Sequence, residues 1–404
     1  MRHNKFLIVV ALSLLMMWIA CSNFVDEVDP IIDQVQDDLL NDESQIPFLS
    51  TGVKVRFATT HDQLVTLAEG LSDAFIFDSN VPNATFPQFR EVDDGAIQLD
   101  NNSVDNMFFP LGELRFFADD LIRRVNLINF TNAETKREAL FTGYLYGGIA
   151  RYFFATYMGL NPTEGGGVIE NGPFIPSAAM YDSALVNFQQ ALAQAGSPYE
   201  TRLVNSIIAR THLYAGNAAA ALQFAQNGLA TGDAPFQSLH STESSNFVWQ
   251  QAGLGRSQYV LDPRFRGYVT ANPGEAARIQ FVNILGNDGV TVFQLQTKYN
   301  EVDSPIDFIS SQENELMLAE LELSSNPASA LARVNAVRAS HGLAPLAALD
   351  LNALIIERDK ELLLTGARLP DQRRFGIFHL PAGSWQFLPI TEQERNNNPN
   401  IPDV

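Results

Sequence analysis

The sequence predicts a mainly α-helical protein in which paired helices form the scaffold and a loop-rich insert with short strands interrupts them. Three observations predict it. Apolar residues recur at spacings of three and four over most of the chain. Gly, Pro, Ser and Asn collect between those stretches, and the periodicity lapses altogether from Gly232 to about Pro305. The 404 residues, 46% of them apolar, suffice for one large core or two ordinary ones.

At the N-terminus, Arg2 and Lys5 precede an apolar run from Phe6 to Ile19, of signal-peptide length and too short for a secure membrane span. Trp18-Ile19-Ala20-Cys21 then reads as a bacterial lipobox, so residues 1–20 form a leader and Cys21 carries the lipid that anchors the protein to a membrane. Cys21 is the only cysteine, so the chain does not use thiols for stapling, and one at this position needs its own reason. The alternative is an ordinary secretory leader in which Cys21 plays no part. Residues 21–55 read as an acidic tether, because no Lys or Arg lies between Cys21 and Lys54 and like charges extend a chain. A formal charge of -20 argues against nucleic acid as a partner.

Each later element follows from its pattern. Leu64, Leu67, Leu71 and Phe75 predict a helix from Thr60 to Phe77, and Leu114, Phe117, Leu121 and Val125 another over 104–128. A third, over 134–158, contains Gly143 and Gly147, whose cost in a helix is offset by close approach of a neighbour. Gly159 to Pro176 reads as an irregular connector. Three helical segments follow, over 181–195, 201–215 and 217–230, and the last two resemble a tetratricopeptide repeat pair. In the insert, Ile279-Gln280-Phe281-Val282 and Val290-Thr291-Val292-Phe293 predict brief strands. Helices resume over 311–323, 327–341 and 351–365, and the tail reads as extended and polar.

The C-terminal third then carries, in order, Glu315-Leu316-Met317-Leu318-Ala319-Glu320, Ala330 to Arg338, Ile356-Glu357-Arg358-Asp359-Lys360-Glu361-Leu362, Gly366-Ala367-Arg368 and Asp371-Gln372-Arg373-Arg374. The series, with the closing Phe387-Leu388-Pro389-Ile390 and Asn398-Pro399-Asn400, resembles the SusD/RagB family, surface lipoproteins that partner TonB-dependent outer-membrane transporters. The chain departs from that family in its short length and in Thr365, where an acidic residue is usual. The resemblance implies a SusD-like fold over 56–404 as one domain, a ligand surface built by variable loops, and docking on a SusC-like transporter at the cell exterior. Glu357, Arg358, Glu361, Arg368, Asp371 and Arg373 alternate in sign at spacings that predict buried or bidentate ion pairs.

Catalytic chemistry finds no motif. The six histidines form no close pair, no zinc spacing occurs, and Gly253-Leu254-Gly255 lacks the third glycine of a dinucleotide fingerprint. No catalytic residue, metal or cofactor is expected. Asp100-Asn101-Asn102 and Asn287-Asp288-Gly289 read as turns rather than calcium loops, and a Glu313–Glu320 pair as solvated helix surface. A ligand is expected instead at aromatic faces flanked by amides and guanidinium groups. Phe247, Trp249, Gln250, Arg256, Tyr259 and Tyr299 supply these in the insert, and Asn83 and Phe86, with Asn80 and Phe89, form a second such loop. Trp385 reads as packing. The expected protein binds an oligomeric nutrient, a glycan, and delivers it to the transporter; the alternatives are a peptide ligand, or a protein-assembly adaptor without a small ligand.

Overall fold

A computed structural model describes residues 35–402 of the chain. The leader, Cys21 and the first part of the acidic stretch lie outside the described residues. From Asp37 onward that stretch is docked rather than free. Asp37 pairs with Arg124, and the Glu43 carboxylate accepts from the main-chain N–H groups of Thr131 and Asn132 at 2.8 and 2.9 Å. A carboxylate gains there because the N–H groups at the start of a helix have no helical partner. Helix α1 (Ile46–Leu71) begins inside the expected 21–55 tether and well before Thr60, with Pro47 in its first turn and Ile46, Val53 and Phe57 buried.

β1 (Phe75–Ile76) and α2 (Pro87–Asp93) lead into the long pair α3 (Asn102–Val125) and α4 (Ala133–Tyr157). Asn101 and Asn132 cap these helices, each accepting from two N–H groups of the first turn. Close approach explains the helical glycines: a Cβ on Gly143 would stand 2.6 Å from Ile122 Cγ1 of α3. The connector after α4 is ordered, contrary to expectation. β2 (Met158–Asn161), β3 (Glu164–Gly167) and β4 (Ile175–Pro176) form an antiparallel run in which Gly165 and Gly167 leave room for Phe387 and Phe154. The repeat-like helices follow as α5 (Ser177–Ala193), α6 (Pro198–Tyr214) and α7 (Ala218–Ala225). A Cβ on Gly148 would stand 2.5 Å from Phe188 Cε1, so α4 and α5 pack as tightly as α3 and α4. α7 ends short of Ala230 because the chain bends at Gly228, hard against Ser206 and Asn314.

The insert is richer in structure than its composition suggests. It contains β5 (Phe236–Ser238), α8 (Phe247–Ala252), β6 (Val260–Leu261), α9 (Pro263–Ala271), β7 (Phe281–Leu285), β8 (Val292–Gln296) and, just beyond, β9 (Ile306–Ile309). β7 and β8 are the two expected strands, paired antiparallel from Phe281↔Gln296 to Leu285↔Val292. Asp288 closes their turn by accepting from the N–H groups of Val290 and Thr291, both at 2.9 Å. β6 pairs with β1 and β9 with β5, which fastens the insert to the helical body.

The last third is helical beyond expectation. α10 (Ser311–Glu322), α11 (Pro327–Ser340) and α12 (Leu351–Glu361) are followed by α13 (Arg368–Arg374), β10 (Leu388–Pro389) and α14 (Glu392–Asn397), within the stretch read as an extended tail. β10 lies parallel to β2, and Trp385 packs on the main core. α1 is sealed to this end of the chain: Glu69 accepts from Gly366 N–H at 2.7 Å, and Asp73 takes the Arg368 guanidinium at 2.6 and 2.8 Å.

The main core lies between α1, α3, α4, α5 and α6, with smaller clusters among α10, α11 and α12 and beneath the β7–β8 hairpin. The alternating charges form the expected ion pairs with one exception. Arg358 meets Asp371, Glu357 meets Arg278 and Arg338, and Arg368 meets Asp73. Arg373 meets no carboxylate among the described residues and donates to main-chain carbonyls instead. Among the described residues no helix is long and apolar enough to cross a membrane.

Candidate functional site

A cleft of about 400 Å³ opens where α1, α2, α3 and α8 meet. Phe86, Phe89 and Phe247 supply its aromatic surface, and Gln63, Gln88, Asn102, Asn106 and Gln251 line it with carboxamides. Its volume falls in the range of small-ligand sites. Gln63 Oε1 and Gln251 Oε1 are buried and accept no hydrogen bond from any described residue. The carboxamides that line the cleft beside apolar rings suit a ligand that presents hydroxyl groups and flat C–H faces.

The loop carrying Phe86 is held by a residue with no signal in the local sequence. Gln258 is buried; its Oε1 accepts from Thr85 and Phe86 N–H at 3.0 Å each, and its Nε2 donates to the Asn83 carbonyl at 2.7 Å. Asn83 takes a left-handed backbone, φ 74°, which its short amide side chain tolerates. The Arg256 guanidinium stacks 4.1 Å from the Phe86 ring and reaches Thr85 Oγ1 at 3.1 Å. Behind Gln88, the Asn101 amide donates to its carbonyl at 3.0 Å.

On the other wall, Asn246 caps α8 by accepting from Trp249 N–H at 2.9 Å and ties the helix to the Ser304 carbonyl. Asp62 of α1 accepts from Phe247 N–H at 2.9 Å, so a buried carboxylate sets the position of this aromatic residue. Burial pushes the Asp62 carboxyl up to about 7, although the Phe247 and Gln63 N–H groups favour its ionised form. Burial likewise raises Glu69 and Asp93 to about 7. A carboxyl whose folded pKa lies above its unfolded value stabilises the fold fully below about pH 4, and that contribution is lost as pH rises through 7. These three carboxyls should therefore lower stability between about pH 4 and pH 7, against the buried His61 and His240, whose depressed pKa values make it rise with pH over much of the same range. Asp62→Asn should flatten part of that fall in urea titrations at successive pH values, and an unchanged slope would refute the assignment.

The residues predicted as ligand contacts divide three ways. Phe86 and Phe247 line the cleft, and Asn83 and Arg256 belong to the loop and guanidinium at its rim. Trp249 and Gln250, half-buried on α8, do not line it. Tyr259 and Tyr299 are core residues and offer no surface to a ligand. Tyr259 stacks on Phe75 at 5.5 Å and donates to the Phe89 carbonyl at 2.8 Å, and Tyr299 donates to the Leu364 carbonyl at 2.9 Å. Their hydroxyls are satisfied inside, which is what lets such rings be buried.

Two other polar groupings are structural. Ser238 Oγ lies 3.3 Å from His240 Nε2, and His240 Nδ1 lies 3.6 Å from Asp62 Oδ2, an order of contacts that matches nucleophilic hydrolases in distance alone. Ser238 is fully buried and its hydroxyl also contacts His61 Nδ1 at 2.9 Å, so the group packs β5 on α1. Glu313 and Glu320 are each engaged by arginines, Arg210 at 3.3 Å and Arg374 at 2.7 Å, rather than solvated. A larger cleft of about 740 Å³, bounded by Phe57, Phe141, Tyr146, Tyr199 and Phe236, contains none of the predicted ligand residues.

No model of a protein family matches the sequence, and no curated protein matches it. Solved structures do. A SusD superfamily protein from Bacteroides thetaiotaomicron is similar with a TM-score of 0.73 at 13% identity, over 89% of this chain and 99% of its own. A laminarin-binding SusD-like protein gives 0.70 at 14%, over 87% and 98%, and surface glycan-binding protein A from Bacteroides uniformis 0.69 at 14%, over 89% and 99%. The chain has the SusD-like fold. In SusD-like terms the helical body is the scaffold expected from the sequence, and both walls of the amide-lined cleft draw on its loops and short helices, at Phe86 before α2 and at α8 in the insert. The aromatic content of the insert was legible in the sequence. The amides of Gln63, Gln88, Asn102, Asn106 and Gln251 were not, because four separate elements bring them together.

Proposed function

We propose that the protein is a non-enzymatic lipoprotein of the SusD/RagB family, held at the outer surface of an outer membrane through Cys21. It binds an oligosaccharide in the cleft between α1, α2, α3 and α8 and delivers it to a SusC-like, TonB-dependent transporter. One observation carries the ligand class: the carboxamides of Gln63, Gln88, Asn102, Asn106 and Gln251, each with an acceptor oxygen, line one cleft with the rings of Phe86 and Phe247. Sugar hydroxyls donate to such oxygens, and the C–H faces of sugar rings cover phenyl groups. The likeness to laminarin-binding and surface glycan-binding structures supports the same class. The lipobox and the acidic residues after it support the location.

Calorimetry with full-length protein, in a detergent lacking a sugar headgroup, against panels of neutral oligosaccharides and of peptides tests the reading. Oligosaccharide binding should be detected and should weaken about tenfold or more in Phe247→Ala and in Gln63→Ala, each variant removing a contact worth about 1.4 kcal/mol or more. Binding to peptides alone would replace the ligand class. Failure with both panels, while the transporter is still bound, would replace nutrient capture with the adaptor reading.

A further inference from the structure

The walls of the cleft between α1, α2, α3 and α8 carry no charged side chain: three phenyl rings, five carboxamides and Ser103 make up the lining. The groups directly behind that lining are acidic. Asp62 accepts from the main-chain N–H of Gln63 at 2.7 Å and of Phe247 at 2.9 Å, so one carboxylate backs two walls at once. Glu91 accepts from the Asn101 amide at 2.8 Å, and that amide also holds the Gln88 carbonyl at 3.0 Å. Asp105 lies in the first turn of α3, between the lining residues Asn102 and Asn106. Cations are scarce on the same elements. Between Arg56 and Arg115, the stretch that supplies the C-terminal half of α1, all of α2 and the first half of α3, the only Lys or Arg is Arg90. Arg90 is exposed, lies over the Phe77 ring at 5.0 Å and does not line the cleft. Arg56 and Arg115 are paired with Glu113 and Asp119. On the fourth wall, α8 has no cation, and Arg256 beyond it is exposed at the rim, stacked on Phe86 and bonded to Thr85.

An anion that enters such a site gives up hydration and meets no opposite charge in return, and the carboxylates behind the walls repel it. Carboxamide N–H groups can bond to an acid group but cannot neutralise it, as a guanidinium or ammonium would. A neutral sugar carries no such cost, because its hydroxyls donate to the carboxamide oxygens and accept from the carboxamide N–H groups. Resting on the glycan reading of this cleft, we propose that it selects uncharged sugar units and rejects sugar acids, both uronates and sulfated sugars. The selectivity lies in the absence of a lining cation, so supplying one should relax it.

Calorimetry on the full-length protein with matched pairs tests the selectivity: maltotetraose, cellotetraose and laminaritetraose, each against its counterpart oxidised to carboxylate at C6. The titrations are run at pH 8, where Asp62 is mostly ionised. In each pair whose neutral member binds, the acid member should bind about tenfold or more weakly. Raising salt from about 0.05 to 0.5 M should narrow that gap, because the repulsive part is screened. Asn106→Lys, at an exposed position of the lining, should raise the affinity for the acid member about fivefold or more. If the acid members bind as tightly as the neutral ones, the inference fails and the glycan reading stands; loss of that binding in Arg256→Gln would then name the rim guanidinium as the reader of the acid group. A gap that Asn106→Lys does not narrow would place its cause elsewhere and also overturn the inference. Binding of neither member of any pair would count against the glycan reading itself, and this inference would fall with it.

Discussion

Arg358→Ala should cost about 3–5 kcal/mol of stability, the loss that follows removal of one partner from a buried ion pair. Arg358 is 1% exposed and grips Asp371 with two hydrogen bonds, at 2.7 and 3.0 Å. Burial opposes its charge, but Asp371 and Glu320 together hold its pKa above the ordinary arginine value. Burial likewise opposes ionisation of Asp371, which Arg358 and Arg374 hold below the usual carboxylate range. Truncation would leave Asp371 with Arg374 alone. Arg358→Lys should recover little, since an ammonium cannot reproduce the paired geometry. Replacing both partners with apolar residues, Arg358→Met with Asp371→Leu, should recover part of the loss, because no charge is then left half-compensated. Urea unfolding of the four proteins measures each value, and a single-variant cost below about 1 kcal/mol would place this pair with exposed salt bridges.

Glu357→Ala should produce a loss of similar size by the opposite imbalance. Glu357 is 3% exposed and receives Arg278 at 2.5 Å, Arg338 at 2.7 Å and Lys360 at 3.2 Å. Glu275 and Glu361 also serve this group, and burial of three cations against two remaining carboxylates leaves one positive charge without a partner. The expected cost is about 3–5 kcal/mol. Glu357→Gln keeps the shape and some of the hydrogen bonds, so it should fall between the alanine variant and the parent. Because the cluster is buried, raising salt from about 0.1 to 1 M should change neither difference by more than a few tenths of a kcal/mol, roughly the scale of exposed pairs. A loss that disappears in salt would show that water reaches the group.

The Arg358–Asp371 pair was legible because its residues alternate in sign within a short stretch, as were α3 and α4, where periodic apolar residues coincide with asparagine caps, whereas Glu357 finds Arg338 and Arg278 at 19 and 79 residues' distance, outside that stretch. Arg373 misled for the same reason: its spacing fits a pair, and only the fold shows that no described carboxylate faces it. The early start of α1 was hidden by the acidic residues just before it, although Ile46, Val53 and Phe57 already lie on one face. Helices α8 and α13 have six and seven residues, too few for a period to declare itself, and α8 lies among glycines and serines. Tyr259 and Tyr299 look like surface rings in the sequence because their acceptors, the carbonyls of Phe89 and Leu364, are 170 and 65 residues away. No local pattern can report a partner at that distance.

The seal between α1 and the C-terminal third also sets the order in which the molecule can assemble. Glu69 meets Gly366 across 297 residues, and Asp73, which Arg264 reaches across 191, meets Arg368 across 295, so the seal is complete only when nearly the whole chain has been made. The hairpins of adjacent helices, α3 with α4 and α6 with α7, close short loops and can form early; the closure of α1 must wait, because long loops are slow to close. During that interval the C-terminal end of α1 lacks the Gly366 N–H that the buried Glu69 carboxylate accepts in the finished fold, so α1 is fixed first through its contacts with α3 and α4 and locked last through Glu69.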